Sequence, residues 1–344
     1  MSTDIALFLT QDGIVNASVY ALIALAIVLV FMVTRVLFVP QGEFVSYSAL
    51  TLASLSAGKV PATVWIMLVG AFLAVAISIY REWRRIGRFR ITARRTSVVA
   101  YAAAIAFIVT WLAPMQLPNW VIIPLTIAII APLGPIIYTV FFEGIASSPN
   151  LTLLIAAMAL HYAMVGIGLV LFGAEGWRSE PISDASFNLG PLHISAQSVT
   201  VIAAAAIIML ALFVFFNRSI HGKALHATSI SRPGAKLVGI RPSVAGKISF
   251  LLAALIGAAS GILAAPLTTI YYDSGFLVGL KGFVAAIIGG LVSYPIAVIG
   301  AFLVGMLESF SSFWVSSFKE VIVFALIMPI LLWRSLRAPH VDGE

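Results

Sequence analysis

Ionisable side chains inside apolar sequence are where chemistry would first show, because each is costly in a membrane and needs a partner or a task. Glu43 stands beside Pro40-Gln41-Gly42, His161 lies mid-run next to Tyr162, and Glu308 follows Gly305-Met306-Leu307 and precedes Ser309, Ser311 and Ser312. Two carboxylates and an imidazole so placed suit contact with a polar solute inside a helical bundle. They equally suit internal duties: Glu43 capping amides of its own broken helix, His161 bonding a neighbouring carbonyl, Glu308 lying near the outer surface. A second feature is the stretch from Arg218 to Lys247, rich in Lys and Arg and without one Asp or Glu, between two long apolar segments. Ser231 is placed to cap a short helix with Pro233 in its first turn, and Gly239 to end it in the left-handed conformation. A short ordered helix in a basic loop is a docking element.

Enzyme chemistry has little support, and no catalytic residue is assigned. The nearest approach to a phosphate-binding loop, Gly239 to Ile248, has six residues between its glycines where four are needed, and Ile248 follows Lys247 where Ser or Thr would hold magnesium. His221 and His226 are five apart, one more than the spacing that aligns two ligands on a helix face, so no metal is expected. No Gly-x-Ser-x-Gly elbow occurs. With no cysteine, disulfides and thiolate sites are excluded.

The elements that must position these residues follow from composition. The chain has 344 residues, is 61% hydrophobic and 10% charged, and has a mean hydropathy of +1.09; soluble domains are about 25% charged. An all-α integral membrane protein is expected, a single polytopic domain over residues 1–344 with about nine to eleven membrane segments. The pI of about 9.8 reflects basic residues at the ends of apolar runs, where orientation and anionic lipid headgroups account for them, so membrane lipid and not nucleic acid is the expected partner. The N-terminus carries Asp4 and Asp12 without early Lys or Arg, which does not fit a signal peptide.

Spans are read near Ile14–Thr34, Val36–Ala57, Pro61–Ile79, Ser97–Ala113, Trp120–Phe142 and Leu151–Phe172, then Ser198–Phe216, Ile248–Ala265, Lys281–Tyr294, Ile296–Ser312 and Val321–Leu336. Residues 81–95 hold seven Arg against one Glu, whereas 174–197 hold Glu175, Glu180 and Asp184 against Arg178. The positive-inside rule puts 81–95 and 218–247 in the cytoplasm and 174–197 outside, with an external N-terminus and Arg334 and Arg337 inside. Two segments look unlike ordinary spans. Val36–Ala57 is interrupted by Pro40-Gln41-Gly42-Glu43, and Lys281–Tyr294 is short, glycine-rich and followed by Pro295. Discontinuous helices in corresponding halves often line a transport path; the alternative is that their glycines only permit close packing, as in Gly257–Gly261.

Taken together these residues carry a resemblance. Gly222-Lys223-Ala224-Leu225-His226-Ala227, the Ala235 to Ile240 pattern and the run Ser249 to Leu263 resemble the cytoplasmic coupling loop and next helix of ABC importer permeases for branched-chain amino acids. Lys281 to Leu291, with Gly300, Gly305 and Glu308, is similar to that family's glycine-rich region and its ensuing Glu. Val39 to Glu43 resembles the N-terminal motif of the shorter of its two permease types, except that Gln41 stands where His is usual. Arg232-Pro233-Gly234 likewise stands where an acidic residue is common, and 81–130 holds additional spanning sequence without an assigned role.

The resemblance implies a permease subunit moving branched-chain or related amino acids into the cytoplasm. Its partners would be a second permease, two cytoplasmic ATPases that hold ATP and magnesium, and a periplasmic binding protein. It implies ATPase coupling through Gly222, Ala224, Ala227, Ala235, Leu237 and Gly239. Gln41, Glu43, Ser46, Gly289, Gly290 and Glu308 are the candidates for the translocation path. A permease for simple sugars, urea or amides, and an ATP-independent transporter or channel, remain open alternatives.

Overall fold

The computed structural model describes residues 3–86, 93–115, 117–181, 185–189 and 192–337. Its axis is α1 (Thr3–Thr34), 32 residues long and so about 48 Å at 1.5 Å per residue. A helix apolar on all sides belongs in the interior, and from Ala17 to Val30 almost every side chain of α1 is buried. Arg35 ends it in a left-handed conformation, φ 58°.

Residues 35–40 are non-helical, and α2 (Gln41–Ser56) starts directly after Pro40. The sequence placed the break at Pro40-Gln41-Gly42-Glu43; it ends at Pro40, with Gln41, Gly42 and Glu43 already helical, because a residue without an N–H is best accommodated at a helix start. Every residue of α2 from Gln41 to Leu55 is buried. Its neighbours reach it through glycine: a Cβ on Gly42 would stand 1.9 Å from the Gly275 carbonyl oxygen, and one on Gly261 would stand 2.2 Å from that of Val45.

Around this pair run α3 (Thr63–Ile86), α4 (Ala93–Leu112), α5 (Asn119–Ile130), α6 (Leu133–Ile137) leading into a π turn at Tyr138–Phe142, α7 (Asn150–Phe172) and α8 (Ala196–Arg218). Next come α9 (Ile220–Ile230), α10 (Arg232–Leu237), α11 (Pro242–Ala264), α12 (Ser274–Ile288), α13 (Tyr294–Trp314), α14 (Lys319–Ala325) and α15 (Ile327–Arg337). Among the described residues eight helices are long and apolar enough to cross a membrane. The shorter α2 and α12 pack among them. The 81–130 stretch supplies α4, which packs on α3 and α5 at the periphery.

Two expectations are corrected, and one element was not foreseen. The segment read as Lys281–Tyr294 is a helix over Ser274–Ile288, which puts Lys281 at mid-helix; the chain turns at Gly290 (φ 67°) and Leu291 (φ 61°), and Pro295 opens α13 instead of closing α12. The last span, Val321–Leu336, is divided at Leu326, where Pro329 opposes the carbonyl of Ala325 four residues back. Within 174–197 an antiparallel hairpin forms, β1 (Ser186–Leu189) on β2 (Leu192–Ser195), in a chain otherwise helical. Residues 87–92 of the basic loop and Asp184 of the acidic one lie outside the described residues.

The two kinds of loop gather at opposite ends. At one, Arg81 donates to the Thr139 carbonyl at 2.9 Å and Glu143 lies 3.1 Å from Lys247 and 3.5 Å from Arg81. At the other, Trp177 bridges to Ile270, Lys59 lies over the Trp177 ring and Arg178 donates to the Pro266 carbonyl.

A methyl group at Gly42 meets backbone that cannot yield, whereas Gly166 on α7 has nothing within 4 Å of a Cβ position. Gly42→Ala is therefore expected to destabilise by about 3 kcal/mol or more and Gly166→Ala to be neutral. Thermal unfolding of the two purified variants in detergent checks this.

Candidate functional site

The start of α2 brings three of the singled-out residues together. Glu43, in the first turn, has Oε1 3.0 Å from Nδ1 of His161 on α7, and neither atom has another partner. Ser46 donates to Glu43 Oε2 at 3.3 Å, and the His161 ring stacks on Phe276 of α12 at 4.6 Å. Gln41 donates to the Ala253 carbonyl at 2.9 Å, while its own carbonyl oxygen is buried without a partner. The buried carboxylate thus sits where two helices entered from non-helical chain meet, at Gly42 and Gly275, and close to the positive end of the α2 dipole.

Glu308 belongs to a different cluster. Lys281 Nζ of α12 lies 2.5 Å from Glu308 Oε1 and 3.1 Å from Glu320 Oε1 of α14, and the Tyr20 hydroxyl of α1 donates to Glu308 Oε2 at 2.5 Å. Four helices are tied by one buried ammonium, which answers two carboxylates; Glu320 keeps a third of its side chain exposed. Lys281, Tyr20 and Glu320 escaped the sequence reading because their partners are distant in the chain. One signal was available: the apolar run extends back through Gly275-Phe276-Leu277-Val278-Gly279-Leu280, so Lys281 did not have to mark an end. Gly289 and Gly290 lie at neither cluster. They form the turn from α12 to α13, where a Cβ on Gly289 would stand 2.8 Å from Ala297.

The third site is α9 and α10. Ser219 caps α9 by accepting from His221 N–H, and Ser231 caps α10 by accepting from Gly234 N–H. Gly239 follows with φ 83°. Ser231 and Gly239 act where the sequence placed them, because capping is local chemistry; the Ser219 cap was not read from the sequence. Gly222 and Ala235 are buried and Ala224 and Ala227 half-buried. Gly222 permits the tight turn from α8, since a Cβ there would stand 2.3 Å from the Phe215 carbonyl oxygen. Leu225 packs the element onto Leu29 and Val33 of α1. Facing away are Ile230, Leu237 and Val238, 73%, 89% and 74% exposed, with Lys236 and Arg241 exposed beside them. These bare apolar side chains stand among cations at the basic end of the bundle. Arg232 points the other way, donating to the carbonyls of Ala146 at 2.9 Å and Val33 at 3.2 Å; its partial burial lowers its pKa from the usual guanidinium value.

A model of the family described as "Branched-chain amino acid transport system / permease component" matches residues 75–331, most of the chain. The chain belongs to this family. The matched region takes in the α9–α10 element and the Lys281–Glu308 cluster and leaves out α1 and α2. The permease protein LivH of the high-affinity branched-chain amino acid transport system of Salmonella typhimurium is 28% identical over 200 residues, 56% of this chain and 65% of that protein. LivH of Escherichia coli K12 is 28% identical over 213 residues, 60% of this chain and 69% of LivH. BraD of Pseudomonas aeruginosa, a permease protein of the same kind of system, is 30% identical over 149 residues, 43% of this chain and 48% of BraD. The chain thus spans less than two thirds of the Salmonella relative's length. Among solved structures, PsaBC from Streptococcus pneumoniae in complex with Fab overlays with a TM-score of 0.37 at 14% identity, over 94% of this chain and 89% of that one. Multi-pass insertion in the inner membrane follows from the family and the eight apolar helices.

Removing one partner of a buried ion cluster leaves charge uncompensated. Lys281→Met, which strands Glu308, is expected to destabilise by about 3–5 kcal/mol, and adding Glu308→Met to restore most of the loss. Thermal melting of the single and double variants gives the comparison.

Proposed function

We propose that the chain is the membrane-spanning permease subunit of an ATP-driven importer for branched-chain or related amino acids. The observation that carries this is the membership of the family together with a capped two-helix element whose apolar residues are bare at the basic end of the bundle. An element so built, on a chain with no nucleotide-binding loop of its own, suits a separate ATPase docking at Leu237 and its neighbours. Gly222, Ala224, Ala227, Ala235 and Gly239 shape that surface, the buried ones by fixing the helices beneath it.

The partners in this reading are a second, related permease, two cytoplasmic ATPases holding ATP and magnesium, and an external binding protein that delivers substrate. The basic end, with residues 81–95 and 218–247, faces the cytoplasm, and the end with Trp177 and Ile270 faces outward, as the excess of Lys and Arg favours. The translocation route is shaped by Gln41, Glu43 and Ser46 at the start of α2 and by Gly289, Gly290 and Glu308 around α12 and α13. Supporting this, α2 follows non-helical chain whose Val36, Phe38 and Pro40 are buried in the bundle, where freed backbone groups require protein or water beside them.

The test is uptake of radiolabelled leucine into liposomes containing the complete complex, with binding protein outside and ATP inside. Uptake is expected only with ATP present, and Leu237→Asp, which puts a charge on the docking surface, is expected to lower it more than tenfold with the chain still inserted. Uptake at the normal rate without ATP, or with Leu237→Asp, overturns the reading. In whole cells a membrane-impermeant thiol reagent is expected to label Glu175→Cys and not Ser229→Cys; the reverse pattern inverts the orientation.

A further inference from the structure

The contacts between the coupling element and the rest of the subunit are not spread evenly. The helix α10 packs mainly on α9 and α11, yet Arg232 in its first turn reaches past both, to the carbonyl of Val33 in the last turn of α1 and to that of Ala146 in the turn before α7. From the other side, Arg35, directly after α1, reaches the Ser229 carbonyl in the last turn of α9 at 3.4 Å. Arg35 therefore meets a carbonyl at the C-terminal end of α9, the helix just before Arg232's own, and Arg232 meets one at the C-terminal end of α1. Those carbonyls lack partners within their own helices and carry the negative end of the helix dipole. A guanidinium is the group for such a task, since its donors are fixed in a plane and it stays charged when half-buried.

The conformation of Arg35 belongs to the same arrangement. A residue with a Cβ adopts the left-handed region at a cost, and Arg35 does so at φ 58°. Any residue could end α1 there, and glycine would do so without strain. The arginine at this strained position is the one whose guanidinium reaches α9.

The helix held by this clasp is the axis of the bundle. It packs on α8, α9, α11, α12 and α13, and its Tyr20 hydroxyl donates to Glu308 in the Lys281 cluster. Tyr20 and Val33 are thirteen residues apart in one unbroken helix, about 20 Å. This continuous helix connects its basic end to Glu308 through Tyr20.

We propose that Arg35 and Arg232 form a reciprocal clasp that passes displacement of the coupling helices to α1 and so to the Lys281–Glu308 cluster. Both are positioning residues: they touch neither nucleotide nor substrate. The inference rests on the coupling reading above and deepens it, since it assigns the transmission to two side chains.

The experiment uses the complete complex in liposomes and measures leucine transported per ATP hydrolysed for Arg232→Met and Arg35→Gly, the latter removing the guanidinium while relieving the backbone. Both are expected to keep assembly and to hydrolyse ATP within about twofold of the parent, while the transport-to-hydrolysis ratio falls about tenfold. Arg232→Lys, which can serve one carbonyl and not two, is expected to recover part of the ratio. A purely structural role would lower the yield or melting temperature of the complex and leave the ratio unchanged, and an unchanged ratio in both variants overturns the inference. If the parent complex itself shows no ATP-coupled uptake, the coupling reading fails with it; if the parent couples and the variants couple equally, only the clasp fails.

Discussion

A sixteen-residue helix can be buried on every side only if its neighbours come close enough to leave no gap, and in this bundle they do so by presenting backbone. Gly42 meets Gly275 and Gly279 of α12, while Gly257 and Gly261 of α11 meet Phe44 and Val45 from another side. In a membrane, where lipid tails are as apolar as leucine, close packing and interhelical hydrogen bonds replace the hydrophobic drive between helices. The polar side chains of α2 contribute those bonds: Ser48 donates to the Ala258 carbonyl at 2.7 Å, Tyr47 to that of Met164 at 2.6 Å, and Thr51 pairs with Thr63 at 2.7 Å. The helix serves as the polar centre around which α7, α11 and α12 are placed, and Glu43 with His161 is part of that centre.

Charge is distributed by the same economy. The two polar clusters inside the bundle pair residues from separate helices and so link α2 with α7, and α1 with α12, α13 and α14. Arg81, Glu143 and Lys247 tie three segments at the basic end, and the arginines at 35 and 232 tie α9 and α10 to α1. An acidic side chain at position 232 could not donate to the carbonyls of Val33 and Ala146.

What the sequence made legible was local. Ser231, Pro233 and Gly239 specify a short capped helix within a dozen residues, and long apolar runs specify spans by length. Pairings across the fold were not legible: Glu43 and His161 are 118 residues apart, and Lys281 meets Glu320 only because α14 folds back beside α12. Proline was the main source of misplaced boundaries. Pro40 and Pro295 read as breaks within or after a helix, yet each stands at a helix start, and only the fold decides on which side of a proline a helix lies. The hairpin at 186–195 was missed because eight strand residues in an apolar helical chain leave almost no trace in composition.

The central claim is that this subunit works only in combination with ATPases docked on α9 and α10. The most direct measurement is native mass spectrometry of the complex released from its own membranes. The account predicts one copy of this chain with a second permease and two ATPase subunits, and loss of both ATPases from a share of particles when Leu237→Asp is introduced. A chain that leaves the membrane alone, or only with copies of itself and no ATPase, would contradict it.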